Sequence, residues 1–265
     1  MERYNYLEIR EVFHLEFLRW LAQKLKLTNY VLKGGVNLRF FFRSIRYSED
    51  MDLDITKVNR DVVKEIVMKI LQSPSFCDAL RVFGIEKVVP PDISKAKQTD
   101  TTQRFKVHLI TASGEDLFTK VEFSRRGFRG NVVVESVPEL ILRKYKTPPL
   151  LIPHYDIYSV VSQKINALAT RTVVQARDIF DLYMLSSQYV FGKDSSAFPS
   201  AIANSVDKLQ SARDNVFNVS FEQFRDTVLS YLSEDDKTIY NNPQTWDELR
   251  LKVVNLIEEL KNQYG

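Results

Sequence analysis

Apolar residues recur at helical spacing from the start of the chain. Ile9, Val12, Phe13, Phe17, Trp20, Leu21 and Leu25 form one stripe, interrupted only by Glu16. The short run Tyr30-Val31-Leu32 predicts a strand that stops at Gly34-Gly35, and the aromatic stretch 36–42 predicts a helix leaving that turn. The period then changes to two. Asp50, Asp52 and Asp54 alternate with Met51, Leu53 and Ile55, which predicts a strand with one polar and one buried face. Helical spacing returns over residues 59–71 through Val62, Val63, Ile66, Val67 and Ile70. Strand-like runs follow at 80–89, 104–111, 117–124 and 131–137, punctuated by Pro90-Pro91 and Ser113-Gly114, with 92–102 as a polar loop.

From Pro138 onward the pattern is helical, over 138–146, 156–171, 176–188, 200–210, 221–232 and 246–262. Strands followed by helices predict an α/β (α+β) domain and then a helical one. The prolines between Thr147 and Pro153 put the divide there, giving domains of residues 1–147 and 148–265.

Composition narrows the classes. Of 265 residues, 44% are hydrophobic, enough for a substantial core and against extended disorder. A net charge of +3 leaves a nucleic-acid partner open, but its basic footprint has to be local. Two such clusters stand out: Arg125-Arg126 with Arg129, and Arg143-Lys144 with Lys146. Cys77 is the only cysteine, so neither an intramolecular disulfide nor a cysteine zinc site can form, which fits a reducing cytoplasm. No apolar run approaches the roughly 18 residues of a membrane span. A soluble cytoplasmic protein without a membrane partner is expected. His14, His108 and His154 show no metal-ligand spacing and read as structural.

The chemistry concentrates in three places. Gly34-Gly35 follows a strand and opens a helix, a geometry that brings backbone N–H groups close to a phosphate. Asp50, Asp52 and Asp54 share a strand face with about 7 Å between neighbours, a spacing at which carboxylates can share hard cations such as Mg2+ or Mn2+. In the run 118–124, Glu122 alternates with Val121 and Phe123, while Glu115-Asp116 beside Gly114 reads as turn chemistry. Further on, Lys164 lies on an apolar stripe with Ile157, Val161 and Leu168. From spacing alone it either snorkels to water or binds a phosphate. Asp178 and Asp181 are three apart on one face of the next helix, so either can meet it.

The stretch Leu32-Lys33-Gly34-Gly35-Val36-Asn37-Leu38, followed by Arg46-Tyr47-Ser48-Glu49-Asp50-Met51-Asp52, resembles the first motif of the AbiEii-type toxin nucleotidyltransferases, members of the DNA polymerase β-like superfamily. Lys164, Ala167-Leu168, Arg171, Arg177-Asp178 and Asp181-Leu182 resemble that family's C-terminal motif. The resemblance runs from about Tyr30 to Leu185. It implies a mixed-sheet nucleotidyltransferase core with a helical C-terminal half. It makes Asp50, Asp52 and Glu122 the ligands of Mg2+ or Mn2+, with Lys164 and Asp178 also catalytic and Asp54 a bystander. Gly34, Gly35, Arg46, Ser48, Lys164 and Asp181 would bind the nucleotide. The activity implied is transfer of a nucleotidyl group from a nucleoside triphosphate to an acceptor, tRNA first, by a toxin restrained by a separately encoded antitoxin. The competing readings are a small-molecule or protein hydroxyl acceptor, and a nucleotide-binding module without turnover.

Overall fold

A computed structural model describes residues 4–94, 96, 98–191 and 206–264. The chain divides into two compact units. The first comprises residues 1–41, 47–128 and 132–154, and the second residues 42–46, 129–131 and 155–265.

The first unit is built on a seven-stranded mixed sheet among the described residues, in the order β3-β4-β5-β2-β1-β7-β6. The strands are β1 (Tyr30–Lys33), β2 (Asp50–Ile55), β3 (Ile85–Val89), β4 (Thr102–Thr111), β5 (Asp116–Ser124), β6 (Val132–Ser136) and β7 (Leu151–Tyr155). β2 runs antiparallel to β1 and parallel to β5, while β4 and β5 form a hairpin. The helices are α1 (Tyr6–Ala22), α2 (Gly34–Phe41), α3 (Arg60–Leu71), α4 (Pro74–Arg81) and α5 (Glu139–Lys144). Asn5 starts α1 through a capping box with Glu8, satisfying backbone donors that the first turn leaves open. The core joins Val12, Phe13 and Phe17 of α1, Val63 and Val67 of α3 and Phe76 of α4 to Met51, Leu53, Phe105, Val107, Val121 and Phe123 of the sheet. These strand residues alternate with charged ones, so their neighbours Asp52, Arg104 and Glu122 fall on the other face.

The second unit is helical. It contains α6 (Ile157–Thr170), α7 (Ala176–Ser186) and the helices Val206–Val216, Phe221–Thr227, Glu234–Tyr240 and Pro243–Tyr264, among the described residues. Its core includes Phe180, Phe224 and Trp246, the last two stacked with ring centroids 4.4 Å apart.

Three sequence expectations change. Residues 80–89 are not one strand: Ser73 caps a helix begun by Pro74, and only Ile85–Val89 extends. The proline-containing segment 147–153 holds β7, which pairs parallel to β1 through Leu32 and His154 and so belongs to the sheet. Residues 221–232 break after Thr227 into a tight 3-10 turn at Leu229–Tyr231, and Glu234–Tyr240 is a helix the spacing did not reveal because none of its residues is buried. The expected helix over 200–210 lies partly outside the described residues.

Candidate active site

The polar face of the first unit's sheet is a ladder of charges. Strand register places Lys33 of β1 beside Asp52 of β2, Asp52 beside Glu122 of β5, and Glu122 beside Arg104 of β4. The next rung holds Asp50, Lys120 and Lys106. Adjacent strands lie only about 4.8 Å apart, so residues in register on one face are neighbours whatever their separation in sequence. Asp50, Asp52 and Glu122 therefore share one face on adjoining strands, as the alternation of β2 and β5 predicts, and the register sets Glu122 across from Asp52.

The two outer acids each hold a cation. Asp50 Oδ2 lies 2.8 Å from Lys120 Nζ, and Glu122 Oε2 accepts from Arg104 Nε at 2.5 Å. The other Asp50 oxygen is buried and accepts no hydrogen bond. An orphaned carboxylate oxygen is costly and marks a place where a ligand would be favourable. Asp52 makes no side-chain hydrogen bond or ion pair among the described residues. Burial, and then the negative charges of Glu122 and Asp50, push its carboxyl above the usual aspartate range, with Lys33 and Lys120 opposing. No three His, Cys, Asp or Glu side chains among the described residues surround one point as they stand. Asp50 and Glu122 are drawn aside by Lys120 and Arg104. Asp50, Asp52 and Glu122 are the oxygen donors this face offers to a hard cation.

Gly34 completes the arrangement. Its φ of +68° lies in the left-handed region, and an added Cβ would sit 2.9 Å from Asp52 Oδ2. The turn thus needs glycine for its backbone angle and for its contact with the acid. Gly35 follows it in α2. Ser48 donates its hydroxyl to the Asp50 carbonyl at 2.7 Å, fixing the entry to β2. Asp54 is buried and ion-paired with Lys33 at 2.5 Å.

The residues of the C-terminal motif meet in the second unit, together with Arg46. Arg46 forks onto both oxygens of Asp181 at 3.0 Å each. Lys164 Nζ lies 2.6 Å from Asp181 and 2.8 Å from Asp178, and Arg171 donates to Asp178. Lys164 does not snorkel: its side chain is 14% exposed and its ammonium is held by two buried carboxylates. Burial alone would lower its pKa and raise that of Asp181. The ion pairs outweigh burial in both cases, so Lys164 moves up and Asp181 moves down. Three cations against two carboxylates leave this network one positive charge in excess.

Several residues around these acids gave no separate signal in the sequence. Lys33, Lys120 and Arg104 are the cations that hold Asp54, Asp50 and Glu122. For Arg104 the period-two run Arg104, Lys106, His108 was the available clue. The basic cluster at 143–146 is largely committed. Arg143 pairs with Glu139, and Lys144 with Glu8 and the Tyr47 hydroxyl. Arg125 is spent on Gln103 and the Val58 carbonyl, whereas Arg126 and Arg129 are exposed. The three histidines are structural in their contacts. His14 is buried against Thr119, with its pKa lowered to about 3 by burial and by Arg10. His154 stacks on Phe41, and His108 pairs with Asp116.

The mixed sheet thus carries a Gly-Gly turn pressed against an Asp-x-Asp strand, with a further acid on the parallel neighbour. The family model described as "Nucleotidyl transferase AbiEii toxin, Type IV TA system" matches residues 16–250, so the chain belongs to this family of nucleotidyltransferase toxins. Membership brings a nucleoside triphosphate substrate and an antitoxin partner. No curated protein matches the chain. Among solved structures, JHP933 from Helicobacter pylori is similar with a TM-score of 0.60 at 18% identity, covering 99% of this chain and 95% of its own. The nucleotidyltransferase toxin MenT4 from Mycobacterium tuberculosis gives a TM-score of 0.62 at 18% identity, covering 97% and 84%. At that identity the likeness is one of fold. No helix among the described residues is long and apolar enough to cross a membrane.

Proposed function

We propose that this toxin transfers a nucleotidyl group from a nucleoside triphosphate to tRNA, with Mg2+ or Mn2+ held by Asp50, Asp52 and Glu122. The observation that carries this reading is the orphaned Asp50 oxygen beside Asp52, whose charge is opposed by burial and by two further carboxylates. All three donors are carboxylate oxygens, the kind that hard divalent cations take. When bound, such cations neutralise the triphosphate and acidify the attacking hydroxyl.

The chain's own groups supply the rest. The Gly34-Gly35 turn admits the triphosphate close to the backbone beside Asp52. Glu122, once released from Arg104, accepts the proton of the acceptor hydroxyl. That oxygen then bonds to the α-phosphorus, the bond to pyrophosphate breaks, and pyrophosphate leaves. In the second unit, Asp178 and Asp181 keep Lys164 charged and oriented, with Arg46 aligning Asp181. Support for tRNA comes from the family and from the exposed Arg126 and Arg129 on the segment leaving β5. The test is incubation with each labelled triphosphate, Mg2+ or Mn2+ and total RNA. Label in the tRNA band is the expected result. Label confined to protein or small molecules would replace the acceptor, and no label with any triphosphate would overturn the reaction.

A further inference from the structure

Beyond the acid row, the polar face of the sheet ends in a cavity of about 500 Å³. Its lining includes Pro90, Pro91 and Asp92 together with Arg104, Lys106 and His108 of β4. Ligand pockets commonly run from about 300 to 1,000 Å³, so the space accommodates one nucleotide unit. Its chemistry is that of an anion site with flat walls. Lys106 has no carboxylate partner among the described residues, and its register neighbour on β5, Lys120, is already paired with Asp50. His108 is held by Asp116 at 2.9 Å and set edge-on against Phe118, which orients its ring in the cavity that Pro90 and Pro91 also line. Arg104 belongs to both places: it lines the cavity and binds Glu122.

We propose that this cavity holds one nucleotide of the single-stranded RNA acceptor. Its base lies between His108 and the Pro90-Pro91 wall, and its phosphate lies on Lys106 and Arg104. The phosphate then competes with Glu122 for Arg104, so that docking of the acceptor releases the third acid. Arg104 is thus a positioning residue that couples acceptor occupancy to the state of Glu122. The acceptor class rests on the function proposed above, but the cavity can be tested without turnover.

The experiment measures binding of a fluorescent single-stranded RNA oligonucleotide with triphosphate and metal both absent. Wild type should bind. Lys106→Glu should weaken binding on the order of tenfold or more and lower the slope of log affinity against log salt by about one, the signature of a lost phosphate contact. The same charge change at Lys69, an exposed residue of α3, should alter neither. Arg104→Gln should also weaken RNA binding, yet it should tighten Mn2+ binding read by thermal shift, because Glu122 loses a competing cation. A purely structural role for Arg104 would weaken both. Unchanged RNA affinity in Lys106→Glu, or no binding by wild type, would overturn the proposal. Lys106-dependent binding without label transfer would leave the cavity assigned and sink the transfer reaction, whereas transfer to RNA indifferent to Lys106→Glu would do the reverse.

Discussion

Asp52 on the sheet of the first unit and Asp181 on a helix of the second are both aspartates shielded from water, yet their proton affinities move in opposite directions. Asp52 has carboxylates for neighbours and no side-chain partner among the described residues, so burial and repulsion raise its pKa. Asp181 is more deeply buried, but Arg46 and Lys164 overcome that burial and hold its pKa down. One is a charge awaiting a counter-ion from outside, and the other already has two from inside. Motif residues of the same type therefore divide into a receptive set and a satisfied one.

Asp181→Asn should cost the fold most. Removing one partner of a buried ion pair typically costs about 3–5 kcal/mol because the remaining charge is left uncompensated. The urea midpoint should fall accordingly, and a midpoint unchanged from wild type would show that the network is not structural. Asp52→Asn should do the opposite. It relieves repulsion, so the metal-free fold should be as stable as wild type or more so, while transfer falls by roughly 10²–10³-fold, the scale for losing a group aimed at the transition state. Joint stabilisation by Mn2+ and a triphosphate should vanish with it; a variant that kept that thermal shift would exclude Asp52 from the metal site.

The pH dependence separates the two carboxylates next. With Asp52 raised, the folded chain holds an extra proton between the unfolded aspartate value and the raised one. Stability of the metal-free protein therefore declines as pH rises through that window. Mn2+ affinity should grow over the same window, by up to about tenfold per pH unit, because binding needs the ionised acid. Asp181 contributes stability that is present above the unfolded value and is lost only as pH falls through its lowered one. Titration by calorimetry checks both signs, and Asp52→Asn should flatten the first slope alone. Gly34→Ala is the smallest change. A positive φ costs an L-residue roughly 1–2 kcal/mol, and the new methyl group would press on Asp52. Metal affinity should drop with a modest loss of thermal stability, and unchanged affinity would mean that the turn does not shape the acid.

Much of this site was already legible along the chain. Period-two alternation put Asp50, Asp52 and Asp54 on one face and Glu122 on the corresponding face of its own strand, because side-chain direction in a strand depends only on parity. The stripe over α6 exposed Lys164 as an anomaly, and the i, i+3 spacing of Asp178 and Asp181 paired them on one helical turn. The helical pattern likewise located α1, α3, α6 and α7 to within a few residues. Where the signal failed, the physics was local or absent. The helix begun at Pro74 ran into the start of the apolar run at 80–89, β7 hid among prolines, and Glu234–Tyr240 buries nothing that would impose a period.

Tertiary structure alone decided which charges answer which. Parallel pairing of β2 with β5 brought Asp52 beside Glu122 across seventy residues, and the β4–β5 hairpin delivered Arg104 to that acid. Another 135 positions separate Arg46 from the aspartate it forks onto. No periodicity encodes such partners, since register between strands and contact between distant segments are set by packing of the whole core. The difference between Asp52 and Asp181 follows from the same cause. Residue type and parity fixed where each carboxylate points, and the fold then determined whether a cation was waiting there.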